Sequence, residues 1–187
     1  MKKLSQWVRF LSGFIICLNF LGAMPSGYAL SASFPKTDEV ITAQLEAVIA
    51  ADPVVNHFKI QVDTLQAVVS LRGQVDTIAQ ANYLVILANA IAGVHAVDAV
   101  GLIVKKNNQP LSTDNVISSE VIGLYVREGF IDIKHLSSAP IQVNTQEGIV
   151  YLSGTVATEE LATRVCDLAQ TIPGVVAVQS ALNIAQQ

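Results

Sequence analysis

The feature that most constrains this chain is that it says the same thing twice. Residues 141–156 read IQVNTQEGIVYLSGTV, and eighty-one positions earlier the chain reads IQVDTLQAVVSLRGQV. Without gaps, 60–104 aligns on 141–185 with 18 identities in 45 positions, among them Ile60/Ile141, Gly73/Gly154, Val75/Val156, Gly93/Gly174 and Val97/Val178. A match of that extent at one fixed offset is the mark of a duplicated structural unit. Upstream, TDEVI at 37–41 is echoed by TDNVI at 113–117, now 76 positions away, so the second copy carries five extra residues between its first helix and first strand. KKNNQPLST separates the copies, polar and broken by Pro110, and reads as a linker.

Each copy predicts the order α-β-β-α-β. Thr37-Asp38 and Thr113-Asp114 are helix-start signals. Val40, Ile41, Gln44, Leu45, Val48 and Ile49 follow helical spacing, as do Val116, Ile117, Val121, Leu124 and Tyr125. Two alternating strands then form a hairpin, Ile60-Val62-Thr64 with Val69-Leu71-Gly73-Val75, and its counterpart ending in Gly154 and Val156. Gly148 suits a turn residue at positive φ; Ala67 stands there in copy one, so that turn should differ or be strained. Helices over 77–91 and 158–171 follow, with buried stripes Leu84/Leu87/Ala88/Ile91 and Val165/Leu168/Ala169/Ile172, ended by Gly93 and Gly174. A last strand alternates Val97, Ala99, Gly101, Ile103 against Val178, Ser180, Leu182, Ile184. The fold class is α+β: two αββαβ units, each a small mixed three-stranded sheet with two helices on one face. The right-handed strand–helix–strand crossover makes the last strand parallel to its neighbour.

The first 32 residues read differently. Lys2, Lys3 and Arg9 precede an apolar run from Phe10 to Met24, Pro25-Ser26-Gly27 breaks it, and small residues follow. That is the pattern of a secretory signal peptide, with cleavage after Ala29 or Ala32. The run is too short for a permanent span. Cys17 follows bulky Ile16, which speaks against lipid attachment. Loss of those three cations, with no acid before Asp38, takes the formal charge from −4 to −7. So acidic a chain is a poor match for a phosphate-tracking nucleic-acid binder. Only Cys166 then remains, which leaves no internal disulfide and makes packed cores the source of stability; 51% hydrophobic residues can supply them.

IQVNTQEGIVYLSGTV, followed by a helix and IPGVVAVQSALNI, resembles the BON domain, and the first copy resembles it with a weaker turn. The likeness divides the chain into a signal segment (1–32), a first domain (36–106), a linker (107–112) and a second domain (113–187). The layout is similar to osmotically inducible periplasmic proteins with two such domains. The resemblance implies a non-enzymatic protein of the periplasm, concerned with osmotic stress and outer-membrane integrity, that binds membrane phospholipid or envelope proteins. Its alternative is chaperone-like help to exported clients. It brings no cofactor and no fixed ligand motif; Gly73, Gly93, Gly148, Gly154 and Gly174 are fold-defining positions.

The residues themselves offer no catalytic or metal site. His57, His95 and His135 lie far apart without ligand spacing. No nucleophile elbow or P-loop occurs. Glu159-Glu160 opens a helix, where the helix dipole accounts for it. Cys166 sits beside an apolar stripe as a small core residue. One asymmetry stands out. The outward face of the second helix is Glu160, Thr163, Arg164, Asp167 and Thr171 in copy two, but Ala79, Asn82, Tyr83, Ile86 and Ala90 in copy one. A helix apolar on both sides has something against both sides. Ala79, Tyr83, Ile86 and Ala90 are therefore the candidate contact surface. Three coverings are open: the other domain or linker, a partner protein or second copy through this helix, or membrane lipid with Tyr83 at headgroup level.

Overall fold

A computed structural model describes residues 37–106 and 108–185. The expected signal peptide lies outside these residues. The element order is α1 (Asp38–Ala51), β1 (Ile60–Leu65), β2 (Val68–Val75), α2 (Ile78–Ala90), β3 (Ala96–Val104), β4 (Gln109–Pro110), α3 (Thr113–Arg127), a 3₁₀ turn (Ile133–Ser138), β5 (Ile141–Gln146), β6 (Ile149–Val156), α4 (Glu159–Gln170) and β7 (Ala177–Ile184). The fold is α+β, with two repeated units. In each, an antiparallel hairpin is extended by a parallel third strand, giving β1-β2-β3-β4 and β5-β6-β7. The first sheet has one strand more than expected. After β3 the linker turns back through Asn108, at φ +49°, and Gln109–Pro110 pairs with Ile103 and Val104 while Leu111 enters the first core.

The two hairpins share one turn geometry despite Ala67. Gln66 and Ala67 have φ of +52° and +62°, and Glu147 and Gly148 have +52° and +77°. What holds alanine there is Asp38, whose carboxylate accepts hydrogen bonds from the Gln66 and Ala67 amides at 2.7 and 2.9 Å. Asp114 does the same for Glu147 and Gly148, at 3.0 Å each. The repeated Thr-Asp is thus more than a helix start: its aspartate ties the first helix of each unit to the hairpin tip. Gly73 and Gly154, in β2 and β6, have no room for a Cβ. One at Gly73 would stand 2.6 Å from the Lys59 carbonyl oxygen, and one at Gly154 would overlap that of Pro140.

β3 departs from the expected alternation. Its register against β2 shifts between Ser70 and Arg72, so that Ser70 pairs with Asp98 but Arg72 with Gly101. β7 runs against β6 without a shift, from Ile149↔Ala177 to Val156↔Ile184. Copy one therefore holds one extra residue as a β-bulge, which reverses the side-chain facing beyond it. Val97, Ala99, Leu102 and Val104 are buried, while Gly101 and Ile103 are not. The gapless match of Ile103 with Ile184 is a coincidence; Leu102 and Leu182 are the equivalent residues, opposite Gly73 and Gly154.

Each unit has its own core. Ile41, Leu45, Val69, Leu71, Leu84 and Leu102 lead the first, and Val121, Leu124, Tyr125, Val150, Leu152 and Val165 the second. Tyr125 is fully buried, and its hydroxyl donates to the Val165 carbonyl at 2.7 Å, joining α3 to α4. Among the described residues no helix is long and apolar enough to cross a membrane.

Candidate functional site

α2 is the helix to build from, because nothing in its sequence gives it a wet side. Ile78–Ala90 carries no charged residue. A capping box starts it: the Thr77 hydroxyl accepts from the Gln80 amide at 3.3 Å, and the Gln80 side chain accepts from the Thr77 amide at 2.9 Å. Ala81, Leu84, Leu87 and Ala88 pack into the first core. The opposite face meets α3 of the second unit.

α3 has two stripes. Ile117, Val121, Leu124 and Tyr125 enter its own core. Val116, Glu120, Gly123 and Arg127, at i, i+4, i+7 and i+11, form the seam with the first unit. Val116 packs on the first core. Gly123 lets the helices approach closely: a Cβ there would lie 2.7 Å from the Ile86 carbonyl oxygen and 2.8 Å from the Asn89 Cβ. Ile86 is 5% exposed. With Ile122, Ile131, Leu136, Ile141 and Val143 it lines a cavity of about 70 Å³ between the units.

The remaining candidates lie at the ends of this seam. Ala90 is half-buried. Tyr83 is half-buried, and its hydroxyl donates to the Asp52 carboxylate at 2.8 Å. Burial, then the hydrogen bond and charge of Asp52, push the Tyr83 phenol up to about 12. Ala79 is exposed and lines an open groove of about 630 Å³ with Pro53, Val54, Tyr83, Ile133 and Lys134. Ile133 and Lys134 belong to the 3₁₀ turn, in the segment where copy two is longer, and Ile133 packs against the first core. The longer segment in copy two thus reaches across to copy one.

The seam also contains polar residues that sequence reasoning passed over. Asn89 and Glu120 are 1% and 3% exposed. Asn89 Nδ2 donates to the Glu120 carbonyl at 2.9 Å. Glu120 Oε1 accepts from the Val97 amide of β3 at 2.6 Å. Arg127 Nη1 donates to the carbonyls of Asn89 and Val94 at 3.3 and 3.0 Å, placing its cation at the C-terminus of α2. Burial raises the Glu120 carboxyl to about 7, opposed only by the Val97 hydrogen bond. The signal that could have found this stripe is the 116/120/123/127 spacing beside an uncharged α2.

The other noted residues stay apart. His57, His95 and His135 are exposed, and His135 Nδ1 lies 3.0 Å from Asp132. Among the described residues no cluster of histidine, cysteine and acids could hold a metal. Cys166 is a free, half-buried cysteine packed on the second core. Glu159 and Glu160 occupy the first turn of α4, whose outward face, Glu160, Thr163, Arg164, Asp167 and Thr171, is exposed.

The BON domain model matches twice, over 37–106 and 113–186. This chain belongs to the BON-domain family. As a tandem BON protein it is similar to the osmotically-inducible protein Y of Escherichia coli strain K12, with 29% identity over 149 residues, 78% of this chain and 72% of that one. Two solved structures of CdsD, a structural protein of the type III secretion system of Chlamydia trachomatis, also match. Identities are 18% and 17% and the TM-score is 0.31 for each. The BON chain spans 64% and 68% of their lengths, with 80% and 81% of itself covered. At that TM-score the likeness bears on neither fold nor function.

Proposed function

We propose that this tandem BON protein is a non-enzymatic protein of the periplasm, exported by a cleaved signal peptide, that serves the envelope under osmotic stress. It does so by binding membrane phospholipid or envelope proteins. The observation that carries the reading is the pair of BON matches together with the similarity to an osmotically-inducible protein over most of the chain. The export pattern in residues 1–32 agrees with it. Ile86 is engaged in the seam, whereas Ala79 and Tyr83 border an open groove, so binding is assigned to the helical surfaces that remain exposed. The test is co-sedimentation of the protein recovered from the periplasm with vesicles of phosphatidylethanolamine and phosphatidylglycerol. Retention in the vesicle pellet is expected; recovery wholly in the supernatant removes phospholipid as the ligand.

A second reading, chaperone-like help to exported outer-membrane clients, is favoured by β7. It is an edge strand of eight residues without a charge or a proline, lacking the usual devices against added strands. Val176 just before it is 77% exposed. An extended client segment could add to this edge through backbone hydrogen bonds. Near-stoichiometric suppression of aggregation of an unfolded outer-membrane protein, weakened by Ser180→Pro, is expected on this reading, because the odd-numbered residues of β7 donate to β6 and the Ser180 amide faces the open edge. An inert wild type would exclude it.

A further inference from the structure

We infer that Glu120 is a pH-responsive latch between the two BON units, holding the α2–α3 seam shut when its carboxyl is neutral and loosening it when ionised. The geometry makes the carboxyl an uncommon tenant. It lies in the seam, 3% exposed, with Oε1 on a single backbone donor of the other unit, the Val97 amide at 2.6 Å. It bridges units, so its state is felt at their contact rather than within either core.

Among the described residues no cation stands ready to neutralise it. From α2 no charged residue faces it, since that helix has none; Tyr83, its one titratable group, is engaged with Asp52. On and beside β3, Asp98 and His95 are exposed. On α3 itself, Asp114 holds the β5–β6 turn and Arg127 is spent on the Asn89 and Val94 carbonyls. A buried carboxylate without a counter-ion favours its protonated form. The closed seam therefore binds a proton more tightly than the open one. Linkage then gives the sign: closure is strongest below the open-state value near 4.5, weakens as pH rises towards about 7, and is level above that. Opening would bare Ile86 and the apolar face of α2.

The test is amide hydrogen exchange of the full chain, expressed as protection factors to remove the intrinsic pH dependence. The Val97 amide, which donates to Glu120 across the contact, reports on the seam, and Leu152 in β6 on the second core. Wild-type seam opening is expected to rise roughly tenfold or more from pH 5.5 to 8.5, with Leu152 unchanged. Glu120→Gln should abolish that dependence. A flat wild-type profile, or the same rise in Glu120→Gln, would overturn the latch. Should Glu120→Gln fail to fold, the side-chain carbonyl of Glu120 in the wild type can be titrated by carbon-13 NMR. A midpoint near neutrality supports the latch, and one in the ordinary carboxylate range refutes it.

Discussion

Ala67 shows how one residue can occupy the wrong backbone region for its type. An L-residue pays roughly 1–2 kcal/mol in the left-handed region, and Ala67 sits there at φ +62° where the second copy has Gly148. Ala67→Gly should therefore stabilise the chain by about 1 kcal/mol, read as a higher urea midpoint at unchanged slope. Asp38 is the compensating partner. Removing its carboxylate leaves two turn amides without their acceptor, and Asp38→Ala should cost about 1–3 kcal/mol. Asp114→Ala removes the same pair of acceptors from Glu147 and Gly148 and should cost a similar amount. A neutral result for either variant in the same titration would contradict this account. The turn's strain was readable from Ala67 in the sequence. The aspartate clamp was not, because Asp38 precedes the turn by 28 residues and looks locally like a helix start.

At the scale of elements, the hairpins and helices could be read directly because their periodicities are local. The β3 bulge was hidden because a one-residue insertion leaves the hydrophobic composition of the strand intact and only exchanges its faces. Ile103 matching Ile184 then made the gapless alignment look right. The α2–α3 packing is the other element-scale result. Gly123 stands where α1 has Ala47, and its missing side chain sets how closely the helices meet. Gly123→Val should force them apart and destabilise the chain by about 1–3 kcal/mol, measured by chemical denaturation, despite valine's better helix propensity. A neutral result would mean that the seam yields freely.

For the whole molecule, the consequence is that one BON unit is completed by the other. α4 keeps an exposed polar face, while α2 is covered by α3 and by the 3₁₀ turn of the longer segment. Ile86→Glu would bury a charge at that seam. It should uncouple the units, so that a single wild-type calorimetric transition becomes two, with the secondary structure of each unit retained by circular dichroism. Any change this variant causes in vesicle binding would then report on the seam and not on a lipid contact at Ile86.

By itself the sequence determined the duplication, the αββαβ order of each unit, the glycines its strands require and the two-sided apolarity of α2, all of which follow from spacing along the chain. Tertiary structure alone decided that α3 covers that face, that Gly123, Glu120 and Arg127 shape the contact, and that β3 bulges. Those depend on which surfaces meet across large sequence separations, and on whether a glutamate side chain there meets water or the Val97 amide. A residue's type cannot state that; only its neighbours in space do.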